Sequence, residues 1–311
     1  MSVSLKVNFL GRELAGPVIA ASGTFGYGEE YADILDLSAL GGVCSKGLTL
    51  APKYGNEGER LLETPAGLMN SIGLQNPGVA HFIEQELPRM LTLGTAVFAN
   101  LGGGSVEDYE QGAALLDATE VDFIELNISC PNVKEGGIAY GIKAASAKEV
   151  VGRVRAACKK PLVVKLSPQA EDIGQMAAAC VEAGADALSL VNTFQACAID
   201  LERRRPVFNN LFAGLSGPAV KPIALRMVWQ ACGAVDVPVI GLGGIATGAD
   251  ALEFIMAGGG GGGGGAGGHR KLYGSPLLRA DQPRDRRMDG GPRGAEPGRD
   301  PGLRQGITCI K

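Results

Sequence analysis

One short stretch carries most of the side chains that could do chemistry: Glu125-Leu126-Asn127-Ile128-Ser129-Cys130-Pro131-Asn132. The mostly apolar run from Val121 to Leu126 predicts a buried strand that ends at Asn127. The loop after it carries two carboxamides, a hydroxyl and a thiol. Carboxamides can pair with the carbonyl and N–H groups of a planar ligand, and a thiol can act as a nucleophile or transfer a proton. The alternative is a structural turn, in which the Asn side chains cap backbone groups and Cys130 is a small buried hydrophobe.

Composition narrows the classes of function. The chain has 311 residues and a net charge of −4, which gives no sign of nucleic-acid binding. It has no basic and apolar N-terminal signal and no apolar run of membrane-spanning length, so we expect a cytoplasmic protein without a membrane partner. A chain of this length is compatible with a single α/β barrel domain.

Histidine and cysteine usage narrows the chemistry further. The seven Cys residues are scattered without a C-x-x-C pair, which indicates reduced thiols and argues against a disulfide framework or a metal site. Only two His residues are present, so a Ser-His-Asp triad or a His-rich metal centre has almost nothing to use. Acid–base chemistry must therefore depend on Cys, Lys, Ser or a carboxylate, and we expect no metal.

Seven short apolar runs alternate with helix-like segments such as Ser146–Cys158 and Asp172–Ala183. The runs are Pro17–Ala21, Gly42–Ser45, Ala96–Ala99, Phe123–Leu126, Leu162–Val164, Ala187–Val191 and Val237–Ile240. Short strands that alternate with helices predict a parallel sheet with right-handed crossovers. Seven such units heading for an eighth predict a (β/α)₈ TIM barrel, preceded by a small N-terminal hairpin that turns at Gly11.

Each predicted strand is followed by a polar residue or by glycine. These are Ser22, Lys46, Asn100, Asn127, Lys165, Asn192 and the Gly243-Gly244 pair. In a β/α barrel the carboxyl ends of the strands surround one mouth, where active sites lie. Taken singly, these residues are typical of surface charges and turns. Lys165 differs, because it follows three apolar residues and a buried Lys needs an acceptor.

The glycine loop Gly241 to Ile245 precedes a helix that begins near Thr247. Glycines after a strand let backbone N–H groups approach a phosphate, aided by the positive end of the next helix. Tight packing between strand and helix would require the same residues. The position favours the phosphate interpretation, because the loops after strands seven and eight are the usual phosphate site of such barrels.

Together these motifs resemble the class 1 dihydroorotate dehydrogenases. The resemblance covers about residues 3–257 and rests on six segments: Glu125–Lys134, Met69–Gly78, Val164–Pro168, Val191–Thr193, Gly214–Pro218 and Gly241–Ile245. The sequences of the segments Ser71–Gly78 and Lys46–Thr49 are most similar to those of the NAD-linked B type. The fumarate-using A type is the alternative within the family.

The resemblance implies oxidation of dihydroorotate to orotate in pyrimidine biosynthesis, with hydride transfer to FMN. It implies that Cys130 is the base that takes the substrate proton. The residues implied to contact FMN are Ser22, Lys46, Gly47, Asn100, Asn127, Lys165, Val191, Gly217, Gly243 and Gly244. The residues implied to contact substrate are Lys46, Asn70, Ser71, Ile72, Gly73, Leu74, Asn127, Asn132, Asn192 and Thr193.

The B type further implies a homodimer within a heterotetramer, whose partner subunit carries FAD and a 2Fe-2S cluster and passes electrons to NAD. Two other interpretations remain open. One is a related FMN dihydropyrimidine oxidoreductase, which shares the Asn-x-Ser-Cys-Pro-Asn loop but normally lies in a longer chain with iron–sulfur motifs. The other is a non-catalytic remnant that acts only in binding or assembly.

The chain departs from the family after Ala257. We divide it into an FMN-binding barrel, residues 1–257, and a Gly-, Pro- and Arg-rich tail, residues 258–311, in which an eighth β/α unit is unreadable. The composition is typical of disorder. A reading-frame error is the preferred explanation: with suitable codons, a shift of one base near Gly268 turns the segment up to Ser275 into Gly-Thr-Ala-Asn-Phe-Thr-Asp-Pro, which contains the missing phosphate loop.

Overall fold

The N-terminal hairpin forms as predicted and closes one end of a barrel. The structure, a computed structural model, describes residues 4–129, 137–259 and 307–310, of which 137–139 and 307–310 are described as backbone only. Strands β1 (Val7–Phe9) and β2 (Arg12–Leu14) pair antiparallel around Gly11, whose φ of +89° suits glycine. Phe9 packs against Phe98 and Phe123 with ring centroids 6.1 and 5.2 Å away, so the hairpin fills the amino end of the barrel with apolar side chains.

The other strands are short, and seven of the fourteen coincide with the apolar runs of the sequence. In chain order they are β3 (Val18–Ala20), β4 (Gly42–Cys44), β5 (Leu61–Thr64), β6 (Gly67–Asn70), β7 (Ala96–Leu101), β8 (Phe123–Asn127), β9 (Leu162–Lys165), β10 (Ala187–Leu190), β11 (Phe194–Cys197), β12 (Ile199–Asp200), β13 (Arg205–Pro206), β14 (Phe212–Ser216), β15 (Val239–Leu242) and β16 (Ile307–Ile310). The seven predicted barrel strands are all present, with bounds that differ by one or two residues.

Helices cover the outside of the barrel. In chain order they are α1 (Glu29–Ala32), α2 (Val79–His81), α3 (Leu87–Met90), α4 (Val106–Asp117), α5 (Gly137–Ile142), α6 (Ala144–Ala157), α7 (Ile173–Glu182), α8 (Lys221–Ala234) and α9 (Gly248–Gly259), with a π turn at Phe82–Glu86 and 3₁₀ turns at Leu37–Ala39, Leu91–Leu93 and Pro218–Val220. Helix α4 shows the local logic: Ser105 and Asp108 form a capping box, and Tyr109 and Leu116 lie on its buried face.

Eight strands close the barrel in the order β10-β15-β16-β3-β4-β7-β8-β9. Seven of them run parallel to one another, each paired with the barrel strand next to it in sequence: β3, β4, β7, β8, β9, β10 and β15. The eighth place differs from a regular (β/α)₈ barrel, because β16 lies there and pairs antiparallel with both β15 and β3. Backbone hydrogen bonds can form between parallel or antiparallel strands. Four residues of the Gly- and Pro-rich tail therefore complete the barrel at the position where no strand could be predicted from the sequence.

A second sheet lies apart from the barrel ladder. Strands β11, β14, β6 and β5 pair antiparallel in that order, and β12 and β13 form a separate two-stranded ribbon. The sheet is built from the insertions that follow β4 and β10. Some of its side chains, including Leu68, Asn70 and Leu215, line the cavity described next.

Candidate functional site at the mouth of the barrel

A cavity of about 410 Å³ lies at the carboxyl ends of the barrel strands. Fourteen residues predicted for the site line it: Ser22, Lys46, Gly47, Asn70, Ile72, Gly73, Leu74, Asn127, Lys165, Val191, Asn192, Thr193, Gly243 and Gly244. They come from strand ends and loops that are spread along the chain from Ser22 to Gly244. The parallel ladder therefore gathers the polar strand ends into one concave site of the size that small-molecule ligands occupy.

Lys165 supplies buried positive charge at this cavity. Its side chain is 5% exposed, and its Nζ lies 3.7 Å from a carboxylate oxygen of Glu125, whose side chain is 6% exposed. Burial alone would raise the pKa of Glu125, but Lys165 and three hydrogen-bond donors hold that pKa below its ordinary value. The carboxylate is therefore ionised at neutral pH and forms a buried ion pair with Lys165, which meets the need for an acceptor that the sequence indicated.

The carboxamides of the site contact one another. Asn127 Nδ2 donates to Asn100 Oδ1 at 3.3 Å, and Asn127 Oδ1 accepts from Ser129 Oγ at 2.9 Å. Asn192 Nδ2 donates to Ser129 Oγ at 2.9 Å and lies 3.4 Å from Asn127 Oδ1. On the opposite wall, Asn70 Nδ2 donates to the carbonyl of Gly214 at 3.2 Å. These bonds fix the side chains in place, so the cavity presents a rigid polar surface to a ligand.

The glycine loop after β15 has a conformation that suits glycine. Gly243 and Gly244 have φ values of +120° and +72°, and a Cβ on Gly244 would lie 2.7 Å from the carbonyl oxygen of Gly217. Asp250, at the start of α9, accepts hydrogen bonds from the backbone N–H groups of Ala246 and Thr247. Gly244 can therefore approach Gly217 closely, and the loop backbone can face the cavity.

Three predicted contact residues do not line the cavity. Asn100 is fully buried behind Asn127 and donates to Glu125 at 2.5 Å. Ser71 points away, and its Oγ accepts from Asn56 at 3.1 Å. Gly217 lies against Gly244 beneath the loop. Cys130 and Asn132, the predicted base and one of the predicted substrate contacts, lie outside the described residues.

Some site residues were not predicted from the sequence. Leu61, Leu68 and Leu215 of the second sheet add apolar walls, and Ser189 donates to the buried carboxylate of Glu125 at 2.7 Å. Alternation along the strands could have found Glu125. Side chains two apart share a face, so Glu125 must lie on the same side of β8 as Asn127. The contribution of the second sheet had no comparable signal.

Three buried thiols, those of Cys44, Cys158 and Cys180, are poor candidates for acid–base chemistry. Burial raises the pKa of Cys180 to about 12 and, together with Asp117, that of Cys158 to about 11. Burial and the neighbouring Glu125 raise the pKa of Cys44 well above its ordinary value. A thiol acts as a base only as its thiolate, so these three thiols do not compete with Cys130 for the predicted role.

The described residues contain neither a cluster of metal ligands nor a membrane-spanning helix. Within residues 4–129 and 137–259, His, Cys, Asp and Glu side chains form no group of three that could hold a metal ion. None of the helices in the part of the chain that the structure describes is long and apolar enough to cross a bilayer.

A β/α barrel with a polar cavity at the carboxyl ends of its strands defines the class of barrel enzymes that bind small ligands at this mouth. Comparison with known proteins identifies the family. The family model for dihydroorotate dehydrogenases matches residues 4–266, and the chain belongs to that family.

Several relatives are similar over most of the barrel. The chain is 57% identical over 256 residues to "Dihydroorotate dehydrogenase B (NAD(+)), catalytic subunit" of Petrotoga mobilis, covering 82% of this chain and 85% of that protein. Proteins with the same name from Geotalea uraniireducens and Bacteroides thetaiotaomicron are 55% and 51% identical over 255 residues, in each case 82% of this chain and 84% of the relative.

Proposed function

We propose that this chain oxidises dihydroorotate to orotate in pyrimidine biosynthesis, with FMN as its cofactor. The observation that carries the proposal is the cavity, where fourteen residues implied by the family resemblance meet. Family membership over residues 4–266 supports the same reaction. Dihydroorotate carries a carboxylate and two ring amides, and the cavity offers Lys46 and several carboxamides with matching charge and hydrogen-bonding groups.

The described residues fit FMN. The cavity has room for a ring system, the buried ammonium of Lys165 lies at its inner end, and the Gly243-Gly244 loop leaves its backbone open to a phosphate. Bound FMN supplies the acceptor for the hydride that leaves C6 of the substrate. Ser22, Lys46, Gly47, Asn127, Lys165, Val191, Gly243 and Gly244 would hold it, with Asn100 and Gly217 supporting them from behind. Lys165 would place positive charge beside the N1–O2 edge of the ring system.

The remaining residues bind substrate and move the proton. Lys46 pairs with the substrate carboxylate, while Asn70, Asn127, Asn132 and Asn192 hydrogen-bond to its amide edges. Residues 72–74 and Thr193 shape the rest of the pocket, and Ser71, whose side chain points away, belongs to the same loop. Cys130, as a thiolate, takes the proton from C5. Leu74 supports a binding role for its loop, because its φ of +55° is unusual for a residue other than glycine and such strain clusters at ligand sites.

The partner is proposed from the names of the relatives. Those proteins are called catalytic subunits of an NAD(+) enzyme. We propose that this chain passes electrons to a subunit that carries FAD and a 2Fe-2S cluster and reduces NAD, and that two copies of each subunit assemble together. Adding fumarate to the substrate-reduced chain tests the alternative: rapid return of the flavin colour would indicate the A type.

The visible spectrum of the purified chain, with and without dihydroorotate and in the absence of oxygen, tests the proposed reaction. We expect a flavin spectrum that bleaches on addition of dihydroorotate and does not bleach with orotate, which serves as the redox control. A flavin that stays oxidised in the presence of dihydroorotate would contradict the proposed function.

We also propose that residues 258–311 record a shifted reading frame rather than the native end of the protein. The family match ends at residue 266, close to the glycine run, and the strand that fills the eighth place of the barrel runs antiparallel. Sequencing the gene across this run tests the idea. Codons that cannot yield Gly-Thr-Ala-Asn-Phe-Thr-Asp-Pro in another frame would refute it.

A further inference from the structure

Glu125 lies inside the barrel and is bonded to four other strands. Its Oε1 accepts from Ser189 Oγ of β10 at 2.7 Å, and its Oε2 accepts from Asn100 Nδ2 of β7 at 2.5 Å and from Cys44 Sγ of β4 at 3.2 Å. The fourth strand is β9, whose Lys165 lies 3.7 Å from the same Oε2. Glu125 does not line the cavity, so any effect on a ligand must pass through these neighbours.

The pair Glu125 and Lys165 is unusual in its burial. Within the part of the chain that the structure describes, these are the buried side chains that carry charge. Breaking a buried pair leaves one charge uncompensated, and apolar side chains would have filled the space at no electrostatic cost. Packing alone therefore does not account for a carboxylate here. Its charge does have a clear effect on Lys165, whose ammonium it partly neutralises.

The carboxylate also sets the direction of the Asn100 carboxamide. An ionised carboxylate only accepts hydrogen bonds, so Asn100 must turn its NH₂ group toward Glu125 and its oxygen toward Asn127. Asn127 directs its NH₂ group toward Asn100, and its oxygen accepts from the backbone N–H of Ser129 at 3.2 Å, so the backbone and Asn100 fix it together. Because the two ends of a carboxamide are nearly the same size, the charge of Glu125 decides the orientation of Asn100, which shape alone does not.

We infer that Glu125 is a positioning residue: it holds the ammonium of Lys165 at the cavity and orients Asn100, which in turn contacts the Asn127 carboxamide that lines the cavity. The inference rests on the proposed function, because the ligand groups that these side chains meet are those of FMN and dihydroorotate. Glu125 thus affects the charge and the hydrogen-bonding groups that the cavity presents to FMN and dihydroorotate, without contacting either molecule.

Glu125→Gln in the full chain tests this role, since Gln keeps the size and removes the charge. Two properties are measured on the FMN-bound protein: the midpoint potential of the flavin and the dissociation constant of orotate for the oxidised form. Loss of negative charge beside Lys165 should favour reduction about tenfold, which raises the two-electron potential by about 30 mV. Loss of the charged acceptor for Asn100 should also displace its partner Asn127 and weaken orotate binding about tenfold.

Asp117→Asn is the matched control. Asp117 also accepts several hydrogen bonds, from the backbone N–H groups of Lys159 and Lys160 and from Cys158, but it lies outside the cavity lining. We expect it to lower thermal stability while the flavin potential and orotate affinity stay at wild-type values. If Glu125→Gln behaves in the same way, Glu125 has only a structural role and the inference is wrong.

Glu125→Asp keeps the test decisive if the Gln variant fails to bind flavin. The shorter side chain preserves the charge but cannot reach Asn100 and Lys165 together, so the potential should stay near wild type while orotate binding weakens. Orotate affinity equal to wild type in this variant would overturn the inference. A wild-type chain whose flavin dihydroorotate does not bleach would instead count against the proposed function, so the two failures are distinguishable.

Discussion

Replacing Gly244 with Ala should damage FMN binding and stability together. The added Cβ would lie 2.7 Å from the carbonyl oxygen of Gly217 and 2.9 Å from both the backbone N and the Cβ of Lys221, and these are mostly backbone atoms that cannot turn aside. The φ of +72° is the left-handed region, which costs an L-residue about 1 to 2 kcal/mol. Overpacking adds about 1 to 3 kcal/mol.

The two terms together predict a loss of about 2 to 5 kcal/mol in the free energy of unfolding. For a domain of this size, the melting temperature falls by roughly 2 to 4 °C per kcal/mol, so we expect a decrease of roughly 4 to 20 °C. The strain falls on the loop that we propose holds the phosphate, so the affinity for FMN should fall at least about tenfold, which is about 1.4 kcal/mol. Thermal melting and flavin fluorescence titration measure the two effects.

Gly248→Ala provides the comparison within the same region of the chain. A Cβ at Gly248, the first residue of α9, would meet no atom within 4 Å, and its φ is not positive. Ala at such a position should leave FMN binding unchanged and raise stability by about 0.4 to 1 kcal/mol. The reasoning fails if Gly244→Ala melts and binds FMN like Gly248→Ala, because the close approach to Gly217 would then carry no energetic consequence.

Three further predictions follow from single residues. Cys130→Ala should keep FMN but lose most turnover, because no other side chain is proposed to take the proton from C5. Steady-state rates with dihydroorotate near those of the wild type would show that Cys130 is not the base. Tyr109→Phe should lower the free energy of unfolding by about 1 to 2 kcal/mol, since the buried Tyr109 hydroxyl donates to the carbonyl of Asn127 at 2.9 Å. Chemical denaturation should detect this loss. Tyr54→Phe, at a residue that is 91% exposed, should show none. Burial alone would raise the pKa of Asp250, but Lys221, Thr247 and the backbone of Ala246 lower it to about 2, so the carboxylate should stabilise the fold above about pH 4 and lose this effect as the pH falls toward 2. Asp250→Asn should therefore flatten the decrease in melting temperature over that pH range, and an unchanged slope would contradict the assignment.

The barrel could be predicted because its signal is local and repeated. Apolar runs such as Leu162–Val164 and Ala187–Val191 are short, rich in β-forming residues and followed at once by polar residues, and they coincide with the strands Leu162–Lys165 and Ala187–Leu190. The fold then determines where the site lies, because the carboxyl ends of parallel barrel strands surround one mouth. This is why Lys165, Asn127 and Gly243 could be assigned to one cavity without knowledge of any distance.

The remaining features depend on pairings that leave little trace in the sequence. The second sheet brings Leu68 to Leu215 across nearly half of the chain, and neither residue differs from an ordinary core position. The antiparallel strand Ile307–Ile310 was not predicted, because it has only four residues and the sequence before it is rich in Gly and Pro. Asn100 and Ser71, both predicted ligand contacts, lie outside the cavity lining, because side-chain direction there depends on neighbours on other elements.

The N-terminal hairpin gives the barrel two ends with different dynamics. Phe9 and Leu14 seal the amino end, where Phe98 and Phe123 stack with centroids 4.4 Å apart, while the other end opens into the cavity. Amide hydrogens near the sealed end should exchange with deuterium only through global unfolding, whereas those of the mouth loops should exchange through small local openings. Ligands can thus enter and leave many times during the lifetime of a single folded state, because their path does not cross the apolar packing at the sealed end.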